Sequence, residues 1–425
     1  SKNTAASIIC YIAAIRNNCV VLLVDIKTSK ENIFSLIKLY KPSFLAAPIT
    51  WYENSKIDDF KIIENIYDYS IYRTNFPKLP KMNSKLSVLL PTSGSMGSPK
   101  YVRLSKQNLK ANTDSIIKFL EIESKHRAVT TMPCSYSFML SIINTYIETG
   151  ASILVCDYSV IQKKFWEQFK KYNVTSLSGV PYIFDIILKL GLNKIYIPSL
   201  CAFTIAGGRL NNKSSMAILD FCEKHNIKFT MMYGQTEATA RMAYLNCKDA
   251  SKKIGSIGKS IPFTEMWIQN EKGKKINKPG EVGELFFKGK NVSMGYSINV
   301  DDLVNGDDNK GILQSGDLAS FDKEGFFYIK GRIARIAKIF GNRLNLDELE
   351  EQMRIKGIEV ACKNQGDSLL VFFESIFFKN EVINRVSEIT GQNKIAFECI
   401  EVAKFPRTLS GKVDYLKLQK KLLNA

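Results

Sequence analysis

The densest run of phosphate-suited residues in this chain is Pro91-Thr92-Ser93-Gly94-Ser95-Met96-Gly97-Ser98-Pro99-Lys100, directly after the apolar segment 86–90. Gly94 and Gly97 let the backbone approach a ligand. Thr92, Ser93, Ser95 and Ser98 offer hydroxyls to phosphoryl oxygens, and Lys100 supplies positive charge. This combination predicts a polyphosphate loop at the end of a strand. It is not the Gly-x-x-x-x-Gly-Lys-Ser/Thr loop, because the lysine comes later and Tyr101 follows it without a metal-binding hydroxyl. A flexible Ser/Gly linker would have a similar composition.

A second run, Tyr233-Gly234-Gln235-Thr236-Glu237-Ala238, follows the strand-like segment 228–232. The carboxyl end of a strand is where open α/β sheets usually hold ligands. The Tyr233 ring can stack on a base, Thr236 can donate to a phosphate, and Glu237 can hold Mg²⁺ through one carboxylate oxygen. Ser315-Gly316-Asp317 with Gly331-Arg332 adds a carboxylate able to accept hydrogen bonds from ribose hydroxyls. Near the end, Pro406-Arg407-Thr408-Leu409-Ser410-Gly411-Lys412-Val413-Asp414 puts Lys412 on a glycine turn, exposed enough to reach into another domain's cleft. The plain alternatives for Lys412 are a surface lysine and a tail turn.

The elements that must position these residues alternate along the chain. Strand-like runs fall at 19–24, 44–47, 87–90, 128–132, 152–156, 176–178, 202–205 and 228–232, with amphipathic stretches at 108–120, 161–171 and 214–225. Such alternation predicts an α/β fold, with parallel sheets packed between helices in a large amino-terminal domain. From about residue 255 the texture changes to short strands with glycine turns, a β-rich subdomain reaching residue 331. A helix at 346–354, a strand at 369–374 and a lysine-rich tail predict a small α+β carboxyl-terminal domain. The expected division is 1–331 and 332–425. An apolar helix at 5–15 running at once into a strand predicts a chain that opens inside a domain, with an incomplete amino-terminal part.

Composition removes several functions. At 425 residues, 45% hydrophobic and 24% charged, with 12 prolines, the chain reads as globular and multi-domain. Nine cysteines without a Cys-x-x-Cys pair, mostly among apolar neighbours, predict buried reduced thiols and a cytoplasmic protein. Only His126 and His225 are available for a zinc site or a Ser-His-Asp triad, so neither is expected. No apolar segment near the amino terminus reaches the roughly 20 residues of a membrane span. The net charge of +18 favours acidic partners, yet the lysines are dispersed and no nucleic-acid-binding motif accompanies them.

Taken in order, these segments resemble the AMP-forming adenylate superfamily: acyl-CoA synthetases, peptide-synthetase adenylation domains, D-alanine–carrier ligases and luciferases. Further matching residues are Val102, Leu104-Ser105-Lys106, Asn108-Leu109, Gly179-Val180-Pro181, Ala206-Gly207-Gly208, Gly283-Glu284-Leu285, Gly295-Tyr296, Lys338, Gly341 and Arg343. The resemblance implies an ATP-dependent ligase that makes an acyl-adenylate and passes the acyl group to the pantetheine thiol of coenzyme A or of an acidic acyl carrier protein. It implies that 92–100 holds the β- and γ-phosphates, that Gly207, Gly208 and Tyr233 frame adenine, and that Thr236 contacts the α-phosphate. Glu237 would bind Mg²⁺, Asp317 and Arg332 the ribose, and Lys412 would bridge the substrate carboxylate and the α-phosphate. The small domain would swing between half-reactions, admitting the thiol near Gly341.

Three residues depart from the family pattern. Met96 stands where threonine is usual, Tyr101 where a small residue is usual, and Ala334 where an aspartate commonly marks the hinge. The acyl-facing segment 132–138 lacks an aspartate for an α-amino group, which points to simple or hydroxylated small carboxylic acids, with Tyr136, Val180 and Gly207 bordering the pocket. An adenylating enzyme with an amine or alcohol acceptor and a non-catalytic nucleotide-binding relative are the alternatives.

Overall fold

Ser176–Gly179, Ala202–Ile205 and Lys228–Tyr233 are three short strands whose inward side chains are apolar or hydroxyl-bearing. They pair in parallel, with Phe203 set between Leu177 and Phe229. All three side chains are fully buried. The polar groups that share the sheet are satisfied internally, as where the Ser178 and Thr204 hydroxyls hydrogen-bond at 2.7 Å. Helix Pro181–Leu190 starts on a proline whose fixed φ suits a first turn, and ends at Gly191. It lays Phe184 edge-on against Phe203 at 5.5 Å between ring centroids. Truncating such a buried phenyl to alanine costs about 3–5 kcal/mol, so this contact fixes the helix on the sheet.

The computed structural model describes residues 1–53, 60–76, 80–91, 100–339, 342–366, 368–374, 376–408, 411–415 and 417–418. The chain forms two compact units, one of Ser1–Glu265 with Phe287–Leu313 and one of Met266–Phe286 with Gln314–Ala425.

In the first unit the parallel strands belong to a seven-stranded sheet. Arg127–Val129 and Ser152–Leu154 extend it in parallel, whereas Ala243–Leu245 and Lys259–Ser260 add antiparallel strands at the opposite edge. The sheet is therefore mixed, and the expectation of parallel sheets holds for its other five strands. The connection 234–242 explains the reversal, being shorter than the dozen or so residues a parallel crossover needs.

A second sheet runs Val21–Leu22, Leu86–Pro91, Tyr101–Ser105, Tyr296–Ser297 and is also mixed. Pro91 pairs with Tyr101, so the two ends of segment 92–99 are held side by side by an antiparallel pair. Ser105 then closes a capping box with Asn108 and launches helix Lys106–Leu120. A third, antiparallel sheet joins Phe44–Pro48, Tyr69–Arg73 and Lys61–Ile66.

The second unit carries a five-stranded sheet ordered Lys275–Ile276, Glu265–Gln269, Gly283–Lys288, Ile312–Phe321, Phe327–Arg332. After it come the hairpin Ile336–Ile339/Asn342–Asn345, helix Leu346–Ile355 and a three-stranded sheet of Val360–Gln365, Ser368–Glu374 and Phe397–Val402. Helix Lys379–Thr390 covers that sheet, closing a core around Leu349, Met353, Val371, Phe373, Val382 and Val386.

Among the described residues, no helix is long and apolar enough to cross a membrane. The nine cysteines are all free, but the expectation of burial needs correcting. Cys19 is exposed at the end of a helix–strand turn, and Cys10, Cys201 and Cys247 are half-buried.

Candidate active site

Four neighbouring parallel strands of the large sheet end on one edge, and each is followed by residues singled out from the sequence. Arg127–Val129 leads toward Tyr136, Ser176–Gly179 into Val180, Ala202–Ile205 into Gly207 and Gly208, and Lys228–Tyr233 into Gly234, Thr236 and Glu237. This is the crevice at strand carboxyl ends where α/β sheets hold ligands.

Gly207 adopts φ +85°, and a Cβ there would lie 2.6 Å from the Tyr136 hydroxyl oxygen and 3.1 Å from Val180 Cγ1. Tyr136, Val180 and Gly207 are thus brought together around one backbone position that only glycine fills without strain. Gly208 faces Pro181, with a Cβ at 3.1 Å from its Cγ. Gly234 is tighter still, since a Cβ would sit 2.1 Å from the Ala240 carbonyl oxygen. The backbone of 234–240 folds back on itself and leaves no room for a side chain there.

Within that turn the Thr236 hydroxyl hydrogen-bonds Ser137 at 3.1 Å, and the Gln235 amide donates to the Tyr233 hydroxyl at 3.3 Å. Glu237 Oε1 accepts a 3.0 Å hydrogen bond from the Tyr296 hydroxyl. Lys100 Nζ lies 3.6 Å from the centre of the same tyrosine ring. Burial, and then the adjacent Glu237 charge, push the Tyr296 phenol well above its ordinary value, so it stays a donor. Tyr296 is placed by Arg103, whose buried guanidinium donates to the carbonyls of Tyr296, Met294, Asn305 and Gly306 and pairs with Asp308. No cluster of three or more metal-ligating side chains exists among the described residues. Among the described residues the Glu237 carboxylate hydrogen-bonds through Oε1 alone, and a carboxylate with a free oxygen is the kind of group through which a protein shares Mg²⁺ with a nucleotide. Thr92, Ser93, Gly94, Ser95, Met96 and Gly97 lie outside the described residues, as does Gly341.

The second unit gathers the remaining candidates. Asp317 and Arg332 face each other across adjacent strands, Arg332 Nε lying 3.0 Å from an Asp317 carboxylate whose side chain is 3% exposed. The Arg332 backbone N–H donates to Asp347 at 3.1 Å. Lys412 is exposed by its residue surface, yet protein packed around its ammonium and then the Arg332 charge lower its pKa, against the opposing pull of Asp317 and Asp347. Lys412, Arg332 and Asp317 are therefore neighbours electrostatically.

Sequence reasoning missed the network beneath them. Arg335 donates to Asp347 at 2.8 Å and to the Cys362 carbonyl at 2.7 Å, and pairs with Glu350. Both Glu350 oxygens accept from the Tyr415 hydroxyl at 2.8 Å, and Arg335 also stacks on the Tyr415 ring at 4.5 Å. Tyr415 stands three residues after Lys412, so this buried cluster ties the lysine turn to helix Leu346–Ile355. The signal available in the sequence was the Asp347-Glu348-Leu349-Glu350 run downstream of Arg335, which reads equally well as a solvated helix face.

Residues 1–297 match the family model of AMP-binding enzymes. The chain is similar to an oxalate–CoA ligase of Saccharomyces cerevisiae, 26% identical over 378 residues that cover 84% of this chain and 68% of that protein. It is also similar to a D-alanine–D-alanyl carrier protein ligase of Staphylococcus haemolyticus, 27% identical over 355 residues, 81% of this chain and 69% of the relative. Its fold matches the o-succinylbenzoate coenzyme A synthetase of Bacillus subtilis in complex with an acyl-adenylate, with a TM-score of 0.77 and 20% identity over 98% of this chain and 86% of that one. A family model that spans most of the first unit, over the same strand ends that carry Gly207, Tyr233 and Glu237, places this chain among the AMP-binding enzymes, as an AMP-forming ligase of the CoA-ligase type.

Proposed function

We propose that this chain uses ATP and Mg²⁺ to convert a small carboxylic acid into its acyl-adenylate, releasing pyrophosphate, and then delivers the acyl group to a pantetheine thiol of coenzyme A or a carrier protein. The observation that carries this reading is the Lys100–Tyr296–Glu237 stack, which sets a cation and a half-satisfied carboxylate about one ring at the ends of the phosphate-loop strands. That pairing of opposite charges suits a polyphosphate with its metal better than it suits a neutral ligand.

A substrate carboxylate oxygen attacks the α-phosphorus, a new phosphorus–oxygen bond forms, and the bond to pyrophosphate breaks. The acid is already a nucleophile and pyrophosphate already a good leaving group, so positioning and charge neutralisation suffice. Thr236 donates to the α-phosphate, Gly207, Gly208 and Tyr233 border adenine, and the Asp317–Arg332 pair takes the ribose. Lys412 neutralises the charge that builds between carboxylate and α-phosphate. Mg²⁺ on Glu237 would offset charge on the phosphate oxygens. In the second step a thiolate attacks the acyl carbonyl and AMP leaves. We place the mobile carboxyl-terminal part at 332–425, turning about Ala334.

Relatives named for coenzyme A and for a carrier protein both occur, and the net charge of +18 favours an acidic carrier. Carrier acylation that slows with salt supports the carrier; equal rates at low and high salt favour coenzyme A. The proposal as a whole is tested by carboxylate-dependent ATP–pyrophosphate exchange across a panel of acids. Exchange that depends on one acid class and is lost in Lys412→Ala supports it. Protein that binds ATP but exchanges with no acid refutes it.

A further inference from the structure

Two arginines of the first unit are almost wholly buried, and they are satisfied very differently. Arg103 has Asp308 and four backbone carbonyls around its guanidinium. Arg241, 2% exposed, has no ion pair among the described residues. Its guanidinium instead meets the Met232 sulfur, 3.2 Å from Nε, and the face of Phe138, 3.9 Å from Cζ. A thioether is a weak acceptor and a phenyl face is no substitute for one, so the guanidinium's hydrogen-bonding capacity is largely unused. Burying a charge costs several kcal/mol unless a counter-charge and hydrogen bonds offset it.

The backbone that carries this cation is fixed. The Arg241 carbonyl accepts 3.1 Å hydrogen bonds from both Asn112 and Asn291, and the neighbouring Ala240 carbonyl is wedged against Gly234. The Phe138 ring on which the Arg241 side chain stacks links it to the residues expected to border the acyl group. Phe138 beneath it packs edge-on to Tyr136 at 6.4 Å, and Tyr136 meets Gly207 and Val180. Tyr136 is the ionisable side chain nearest in effect, and its phenol, raised by burial, stays neutral near pH 7 and is no counter-ion. Burial, opposed by Tyr136, pulls the Arg241 guanidinium down to about 9, the direction that burial without a counter-charge gives.

We propose that Arg241 receives a second negative charge carried by the acid substrate, so that the preferred substrates are dicarboxylates, activated at one carboxylate and held through the other. A carboxylate can meet a guanidinium with two parallel hydrogen bonds, which supplies both the missing acceptors and the missing charge. The inference rests on the adenylation reading and narrows it from small carboxylic acids to acids with two anionic ends.

The experiment compares ATP–pyrophosphate exchange for matched pairs of acids, malonate with propionate, succinate with butyrate and phthalate with benzoate, in the wild type, Arg241→Lys and Arg241→Met. The expected result is a wild-type preference for one dicarboxylate over its partner. The ratio of the two specificity constants then falls about 100-fold in Arg241→Met, with partial recovery in Arg241→Lys. Monocarboxylate-driven exchange with no dicarboxylate preference overturns the inference and leaves adenylation standing; so does a preference that survives both substitutions. Should no acid drive exchange, adenylation itself fails, and thermal unfolding decides whether the charge receptor stands. A dicarboxylate that raises Tm of the wild type and not of Arg241→Lys upholds the receptor, and the absence of any such shift removes it. If Arg241→Met does not fold, the wild-type ratio and its change in Arg241→Lys decide in the same way.

Discussion

The glycine-lined strand ends of the first unit and the charged cluster of the second solve the placement of reactive groups in opposite ways. At the strand ends, geometry is set by backbone: Gly207 and Gly234 occupy positions where a Cβ would collide with Tyr136 or with the Ala240 carbonyl, and the side chains involved are mostly neutral. Around Lys412, geometry is set by charge: Arg332 pairs with Asp317 across two strands, Arg335 pairs with Asp347 and Glu350 of one helix, and Tyr415 of the tail hydrogen-bonds Glu350. A backbone-built site is rigid and indifferent to salt, whereas a charge-built one responds to ionic strength and pH. Under the proposed function, the difference would suit a nucleotide platform that stays put and a lysine that has to be aimed.

Removing the aimed charge gives the largest expected effect. Lys412→Ala lowers the rate of exchange about 1,000-fold with little change in Tm, because the lost interaction belongs to the transition state. A comparable fall in Tm would make Lys412 a structural residue instead. Next comes Arg335→Met, which strands Glu350 without its counter-ion and costs about 3 kcal/mol of stability. Denaturant unfolding in low and high salt checks it, and a cost below about 0.5 kcal/mol would class the cluster with ordinary surface pairs.

On the backbone side, Gly207→Ala forces a left-handed alanine against Tyr136 and costs about 1–2 kcal/mol, with a similar penalty in kcat/KM at both salt concentrations. An effect that disappears at high salt would contradict the backbone account. The smallest effect is in pH dependence. Because the Lys412 pKa is lowered, its proton is lost at a lower pH than an ordinary lysine's, and activity that needs the ammonium falls as pH rises through that value. Exchange rates followed into the alkaline range show a limb that begins at lower pH than an ordinary lysine would give and that Lys412→Arg moves to higher pH; a limb unchanged in that variant would belong to another group.

The two regions were also unequally legible. The strand-end glycines stood out because a ligand approached by backbone leaves Gly-rich motifs directly after apolar runs, and helices such as Lys106–Leu120 and Asn212–Lys224 follow their amphipathic patterns closely. The antiparallel edge of the large sheet was not legible, since Ala243–Leu245 and Lys259–Ser260 are too short to show a period. Tyr415 and Glu350 lie 65 residues apart, and nothing local marks either as a partner for Arg335. Arg241 carried no signal either: it follows Glu237-Ala238-Thr239-Ala240 as an ordinary charged residue, and only packing against Phe138 and Met232 makes it a buried cation.

The central claim is that a substrate carboxylate oxygen attacks the α-phosphorus of ATP. Incubating the enzyme with ATP, an accepted acid labelled with ¹⁸O in its carboxylate, and the thiol acceptor tests it directly by mass spectrometry of the nucleotide product. The account predicts one ¹⁸O atom in AMP and none in pyrophosphate, with the oxygen left behind when the thiol takes the acyl group. Label in inorganic phosphate with ADP as the product would mean attack at the γ-phosphorus and contradict it.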